Sequence, residues 1–152
     1  MAEIEDTVLV TKRVVREVIS FRGHPMVRSS HRTTIEVTTE DHLTPSGDCI
    51  IGVAASKGCA QLDPRTKEAL RRSGSSVRMT ISVGGRSFVV KAEGDPRLEL
   101  TNPHDIVIRR SDFASDRTLA VHADSASKDI PREIVRLLRN PDTIGRLEIE
   151  VT

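Results

Sequence analysis

The sequence contains very few aromatic residues. Among its 152 residues there are three phenylalanines, no tryptophan and no tyrosine. A hydrophobic core must therefore be built mainly from valine, isoleucine, leucine and alanine. Proteins that hold single-stranded nucleic acid commonly stack bases on aromatic side chains, so this composition disfavours that class. The formal net charge of +1 also argues against a strong overall attraction to nucleic acid or to an anionic membrane, while leaving room for a local basic patch.

Cysteine is scarce as well, and the two that occur, Cys49 and Cys59, match neither a CxxC redox pair nor a zinc-ligand spacing. This pattern indicates reduced thiols in a cytoplasmic protein. The N-terminal stretch MAEIEDTVLV lacks the basic region and apolar core of a signal peptide. The longest apolar run, residues 49–55, is too short to span a bilayer. We therefore expect a soluble cytoplasmic protein without a membrane partner.

No catalytic motif of high specificity occurs in the chain. The GxSxG nucleophile elbow, the GxxxxGK[ST] phosphate loop, the GxGxxG dinucleotide motif and the HExxH metal motif are all missing. The sequence therefore identifies no reaction, substrate or cofactor, and whether the protein is an enzyme stays open.

Alternating apolar and polar residues predict a chain built mainly of β-strands. Two glycines between alternating runs are typical of a tight hairpin, which is predicted at Gly84-Gly85. An Asp63-Pro64 cap predicts the start of a helix that ends at Ser73-Gly74. The predicted elements are strands 8–21, 33–38, 49–54, 77–83, 86–92, 105–110, 119–123 and 146–151, with helices after residue 63 and over residues 129–139.

The pattern of the first half returns in the second half. Gly23-His24-Pro25 recurs 71 positions later as Gly94-Asp95-Pro96. Further along the chain, identical residues recur 68 positions apart. In the helices we align Pro64 with Pro131, which lies 67 positions later. We therefore predict one mainly-β (α+β) domain over residues 1–152, with duplicated halves at about 14–83 and 86–152. Each half reads strand-strand-strand-helix-strand, and the halves are expected to close into a β-sandwich or barrel with two helices.

Several stretches resemble an uncharacterised archaeal family, the domain of unknown function numbered 371. They are FRGHPMVRSSHRTTIEVTTEDHLTPSGDCIIGVAA at residues 21–55, GDPRL at 94–98, RTLAVHAD at 117–124 and IPREIVRLLRNP at 130–141. The resemblance implies an archaeal, cytoplasmic, mainly-β protein. It implies no activity, substrate or functional residue.

The duplication suggests a place for a site at the seam between the halves. If the two Gly-x-Pro turns meet at the axis relating the halves, His24 would approach Asp95. Together with His31, His104 and Asp105 they would form a set suited to a divalent metal or to proton transfer. The hypothesis is therefore a small binding or enzymatic module with a His/carboxylate site, for which a divalent metal is the candidate cofactor.

Two other functions are compatible with the sequence. Shape-based binding of duplex nucleic acid could use arginines that flank equivalent regions of the two halves, namely Arg28, Arg32, Arg109 and Arg110. A partner-binding protein without a small ligand is the third alternative. A smaller candidate is phosphate binding by Ser56 and Lys57 at the start of a helical region. The oligomeric state is not indicated by the sequence.

Overall fold

A computed structural model describes residues 14–44 and 46–152 of the chain. The predicted order of strands and helices is confirmed, although residues 8–13 of the first predicted strand lie outside the described residues. The elements are β1 (Val15–Arg22), β2 (Thr34–Thr38), β3 (Ile50–Gly52), α1 (Pro64–Leu70), β4 (Ser76–Val83), β5 (Arg86–Glu93), β6 (Asp105–Arg109), β7 (Thr118–Ala120), α2 (Arg132–Leu138) and β8 (Ile144–Val151), with short 3-10 helices at Cys59–Gln61 and Ser127–Asp129.

Two four-stranded sheets face each other across the core. Their strand orders are β1-β8-β4-β5 and β3-β2-β6-β7. The pairs β2–β3 and β6–β7 are parallel, and the other neighbours are antiparallel. The core between the sheets is aliphatic, with Phe21 as its one fully buried aromatic ring among the described residues. The predicted mainly-β sandwich is therefore confirmed.

The closed barrel, which was the alternative architecture, does not form from the described residues. The sheets meet at two corners, where single bridges join Arg22 to Val53 and Glu93 to Val121. Because the edge strands β3 and β7 are only three residues long, they offer too few backbone groups for a continuous ladder between the sheets. No helix in residues 14–44 and 46–152 is long and apolar enough to cross a membrane.

Each element of the first half has a counterpart in the second half. The distance is 71 residues for β1 and β2, and it is 68 for β3, the 3-10 helix, α1 and β4. The distance of 67 expected for the helices is therefore wrong by one residue. Pro64 is the first residue of α1, whereas Pro131 is the N-cap residue that precedes α2.

Unusual backbone conformations in the first half recur at the equivalent positions of the second half. Among the described residues, four other than glycine have positive φ angles: Ser29 (49°), Ala54 (50°), Leu100 (55°) and His122 (53°). Leu100 is 71 positions after Ser29, and His122 is 68 positions after Ala54. L-residues rarely adopt this conformation, so its recurrence at equivalent positions indicates that the halves fold alike. An origin by duplication stays a prediction.

Two cross-strand pairs locate the axis that relates the halves. Glu36 pairs with Val107, which lies 71 positions later, and Thr80 pairs with Glu148, which lies 68 positions later. Each of these residues faces its own counterpart in the other half. The pseudo-two-fold axis therefore crosses the first sheet at Thr80–Glu148 and the second sheet at Glu36–Val107.

Candidate functional site

The two Gly-x-Pro turns do not meet at this axis, so the expected approach of His24 to Asp95 is wrong. The His24 amide donates to the Leu138 carbonyl at 2.8 Å, and the Asp95 amide donates to the Leu70 carbonyl at 2.9 Å. Each turn thus packs against the last turn of the other half's helix. The reason lies in the first sheet: β1 and β5 form its opposite edges and run antiparallel, so the turns that follow them lie at diagonally opposite corners.

The remaining residues of the predicted His/carboxylate set are also dispersed. The His31 Nδ1 accepts the Thr33 and Thr34 amides, both at 3.2 Å, at the start of β2. His104 lies beyond the other end of β2, with its Nδ1 3.0 Å from the Thr39 hydroxyl. Within residues 14–44 and 46–152, no three His, Cys, Asp or Glu side chains come close enough to hold a metal ion. The predicted metal site at the seam is therefore not formed by these residues.

The phosphate candidates Ser56 and Lys57 are engaged in internal contacts. The Lys57 ammonium lies 2.5 Å from the buried carboxylate of Glu17, and the Ser56 hydroxyl accepts the Ser20 amide at 3.1 Å. A buried carboxylate needs a countercharge, so these contacts explain both residues as parts of the fold.

The four arginines of the nucleic-acid hypothesis differ in their surroundings. Arg28, Arg32 and Arg110 are exposed, whereas Arg109 is half-buried at the end of β6. Arg109 is therefore the one arginine of these four that neighbouring side chains hold in place. Those neighbours form the polar cluster described next.

A group of polar side chains lies on the outer face of the second sheet, at the pseudo-two-fold axis. Because side chains alternate along a strand, Ile35 and Ile108 enter the core and Glu36 projects from the opposite face. Asp105 and Arg109 project from that same face of the neighbouring strand. We call this group the axis cluster, and its members are Glu36, Cys49, Asp105, Arg109, Phe113, Ser115, Arg117 and Thr118.

The guanidinium of Arg109 is held by neutral groups. Its Nε donates to the Thr118 hydroxyl at 2.7 Å and its Nη2 donates to the Ser115 hydroxyl at 3.2 Å. Its Cζ lies 4.9 Å from the centroid of the Phe113 ring. No carboxylate of the described residues lies within 4.0 Å of it. Burial and the nearby charge of Arg117 lower the pKa of Arg109.

Glu36 is the buried acid of the axis cluster. It is 8% exposed, and its Oε1 accepts a weak hydrogen bond from the Cys49 thiol at 3.6 Å. Burial raises the pKa of Glu36, and the negative charge of Asp105 raises it further. Its carboxyl group therefore holds a proton to higher pH than an exposed glutamate does, and in that form it can donate a hydrogen bond.

The surroundings of Cys49 disfavour its thiolate, so this side chain is a poor nucleophile. Burial, followed by the charge of Glu36, raises the pKa of the Cys49 thiol to about 11. The thiolate is the reactive form of cysteine, so this side chain is protonated and unreactive near neutral pH. Its contact with the Glu36 carboxyl group is that of a weak hydrogen-bond donor.

Arg117 and Asp105 complete the axis cluster as an ion pair. The Arg117 Nη1 lies 3.1 Å from the Asp105 Oδ2, and the Arg117 side chain is partly exposed. The pair places a second cation near Glu36 and balances the charge of Asp105. The backbone of Arg117 is held in place, because its carbonyl accepts hydrogen bonds from the Val107 amide at 2.8 Å and from the Cys59 thiol at 3.4 Å.

The charged members of the axis cluster all lie at positions where the two halves differ in charge. In each case a charged residue in one half has an uncharged counterpart in the other: Glu36 and Val107, Arg117 and Cys49, Asp105 and Thr34, Arg109 and Thr38. Because either half folds in the same way, the fold itself does not require these charges. Sequence reasoning missed Glu36, Phe113 and Arg117, although a search of the aligned halves for such unequal positions could have found Glu36 and Arg117.

Comparison with known proteins covers most of the chain. Residues 19–152 match the family model described as "Domain of unknown function (DUF371)". The chain is also 41% identical over 122 residues to the uncharacterized protein MJ0206 of the archaeon Methanocaldococcus jannaschii, which covers 80% of this chain and 90% of that protein. The resemblance noted in the sequence is therefore confirmed, and the chain belongs to the family of the domain of unknown function 371.

Proposed function

We propose that this chain binds a small molecule that carries an oxyanion, a carboxylate or a phosphate, and that the axis cluster is the binding site. The observation that carries the proposal is the half-buried guanidinium of Arg109, which has no carboxylate within 4.0 Å among the described residues. At this guanidinium, burial and the charge of Arg117 outweigh the favourable charge of Glu36. An anionic ligand would supply a closer countercharge.

The geometry leaves Arg109 able to make this contact. A guanidinium has five N–H groups in a fixed fork, which suits carboxylate and phosphate oxygens. The hydroxyls of Thr118 and Ser115 occupy two nitrogens of Arg109 and orient the group without neutralising it. The hydroxyls thus position the guanidinium while its charge stays available to a ligand.

Glu36 supports the same function in a second role. A carboxylate beside the anion would repel it, but a protonated glutamic acid can donate a hydrogen bond to a ligand oxygen. Burial already raises the pKa of Glu36, and an anion bound beside it would shift that pKa in the same direction. Asp105 does not oppose the anion strongly, since its charge is paired with Arg117.

Titration with inorganic phosphate and with acetate tests the proposal. The readouts are the side-chain N–H resonance of Arg109 in NMR spectra at low ionic strength, and calorimetry. We expect a saturable shift in the wild type that is lost, with affinity at least about tenfold weaker, in Arg109→Gln. Arg110→Gln is the matched control, because Arg110 is the next residue and is exposed. Equal binding by wild type and Arg109→Gln, or no saturable shift with either anion, would overturn the proposal.

We further infer a cytoplasmic location, which the two free cysteines, Cys49 and Cys59, favour. The nucleic-acid interface of Arg28, Arg32, Arg109 and Arg110 stays a prediction. The same Arg110→Gln variant examines it, since loss of one exposed arginine would weaken RNA or DNA retardation at low salt.

A further inference from the structure

Phe113 is the one exposed aromatic ring among the described residues, and it lies over the proposed anion-binding arginine. Phe21 is fully buried and Phe88 packs against the core, whereas Phe113 is 59% exposed. Its ring centroid lies 4.9 Å from the Arg109 Cζ. An exposed phenylalanine gains little from burial in the folded chain, so a ligand that covers this ring would add stabilisation that the protein alone lacks.

The segment that carries Phe113 is held in place by hydrogen bonds. The Phe113 carbonyl accepts the Thr118 hydroxyl at 3.2 Å, and the Phe113 amide donates to the Ser111 hydroxyl at 3.3 Å. Thr118 is itself the partner of the Arg109 Nε. The backbone that presents the ring and the guanidinium beneath it are therefore positioned by the same buried hydroxyl.

The corresponding loop of the first half carries no phenylalanine, and the residue 71 positions before Phe113 is His42. Residues 39–49 read TEDHLTPSGDC, and residues 110–117 read RSDFASDR. The aromatic ring occurs in the same half as Arg109 and Arg117, next to the charged positions at which the halves differ. The Phe113 ring thus lies beside the guanidinium of Arg109, the last residue of β6, and this arrangement indicates a ligand with both a flat face and an anionic group.

We infer that the ligand is a nucleoside phosphate, with its base stacked on Phe113 and its phosphate on Arg109; this inference rests on the proposed function. The guanidinium lies on one side of the ring, so a base would use the exposed side. Stacked rings have centroids about 4.5–7 Å apart, which places the base roughly 9 Å or more from the guanidinium in a linear stack. A sugar between base and phosphate spans such a gap, whereas a carboxylate attached directly to a ring does not.

The experiment compares four probes on the full chain by calorimetry: adenosine 5′-monophosphate, ribose 5-phosphate, adenosine and a single-stranded RNA oligomer. We expect the nucleotide to bind wild type at least about tenfold more tightly than ribose 5-phosphate does, because stacking adds to the phosphate contact. Phe113→Ala should weaken binding of the nucleotide more than binding of ribose 5-phosphate, so that the tenfold preference is lost. Phe113→Leu is the matched control that keeps apolar bulk without a stacking face, and it should also lose the preference.

A direct readout of stacking is available because the chain contains no tryptophan. In Phe113→Trp the indole is the single tryptophan, and we expect the nucleotide to quench its fluorescence while ribose 5-phosphate does not. Retained folding of each variant is checked by its cooperative thermal unfolding.

The outcomes separate this inference from the proposed function. Arg109-dependent binding of ribose 5-phosphate with no preference for the nucleotide overturns the nucleoside inference and leaves the oxyanion site standing. Binding of adenosine that depends on Phe113 but not on Arg109 overturns the oxyanion site and the inference built on it. Binding of a single-stranded RNA oligomer without binding of the mononucleotide overturns the inference in favour of a nucleic-acid interface.

Discussion

Glu36 and Val107 are cross-strand partners in the second sheet and also occupy equivalent positions in the two halves of the chain. The pseudo-two-fold axis passes between them, so any residue shared by both halves at this position would face its own copy. Two glutamates there would place two buried carboxylates together, which is strongly unfavourable. Because Glu36 is paired with the aliphatic Val107, a single buried carboxyl group lies at the axis from this pair.

The first prediction concerns the pH dependence of stability at Glu36. Since its pKa is higher in the folded than in the unfolded state, the folded state binds more protons, and the wild type loses stability as pH rises from about 4.5 through the folded pKa. Glu36→Gln removes this titration. We expect Glu36→Gln to gain stability relative to wild type as pH increases from 4 to 8, measured by urea unfolding.

Glu99→Gln serves as the control for this experiment, because Glu99 is an exposed glutamate outside the axis cluster. Its difference from wild type should stay nearly constant over the same range. A Glu36→Gln difference that is flat with pH would contradict the burial argument.

The second prediction concerns the packing of Phe21. A Cβ atom added to Gly52 or Gly145 would collide with the Phe21 ring, so both glycines make room for it. We expect Gly52→Ala to lower the free energy of unfolding by about 1–3 kcal/mol, as overpacking of a close-packed core does. Denaturant unfolding measures the change.

The positions related to these three by the pseudo-two-fold axis supply the compensating set for this test. The counterparts of Phe21, Gly52 and Gly145 are Ala92, Ala120 and Val77. The triple variant Phe21→Ala/Gly52→Ala/Gly145→Val installs that set around position 21, and it should be more stable than Phe21→Ala alone. If the added side chains bring no recovery, the two halves do not pack equivalently at this point.

The third prediction follows from the positions of the strand ends. Val83 and Arg86 are paired at the Gly84-Gly85 hairpin, and Val151 and Val15 are paired at the equivalent place between β8 and β1. A circular permutant opened between Gly84 and Gly85, with Thr152 joined to Met1, should therefore keep the fold. We expect cooperative thermal unfolding and a far-UV circular dichroism spectrum like that of wild type.

The control permutant is opened between Met79 and Thr80, inside the central strand β4, and it should not fold cooperatively. If the hairpin permutant also fails to fold, the order of the halves along the chain matters more than their shared architecture.

Much of the fold could be predicted from the sequence, because strands and turns depend on interactions between neighbouring residues. Alternating residues identified the strands, and the paired glycines identified the hairpin at Gly84-Gly85, because turn geometry and side-chain alternation act over a few neighbouring residues. The repeat and the family resemblance were also visible without coordinates. The helix alignment was one residue off, because a proline suits both the N-cap of α2 and the first residue of α1 and so marks the boundary only to within one position.

The site, by contrast, depends on tertiary structure. Whether the two Gly-x-Pro turns meet is decided by the antiparallel course of β1 and β5 at opposite edges of one sheet, which the spacing of the turns does not encode. Glu36 and Arg117 are 81 residues apart and become neighbours only through the pairing of β2 with β6 and of β6 with β7. The sequence thus determined which elements form and that they repeat, while long-range strand pairing decided which side chains share a face, because that choice rests on contacts between distant segments.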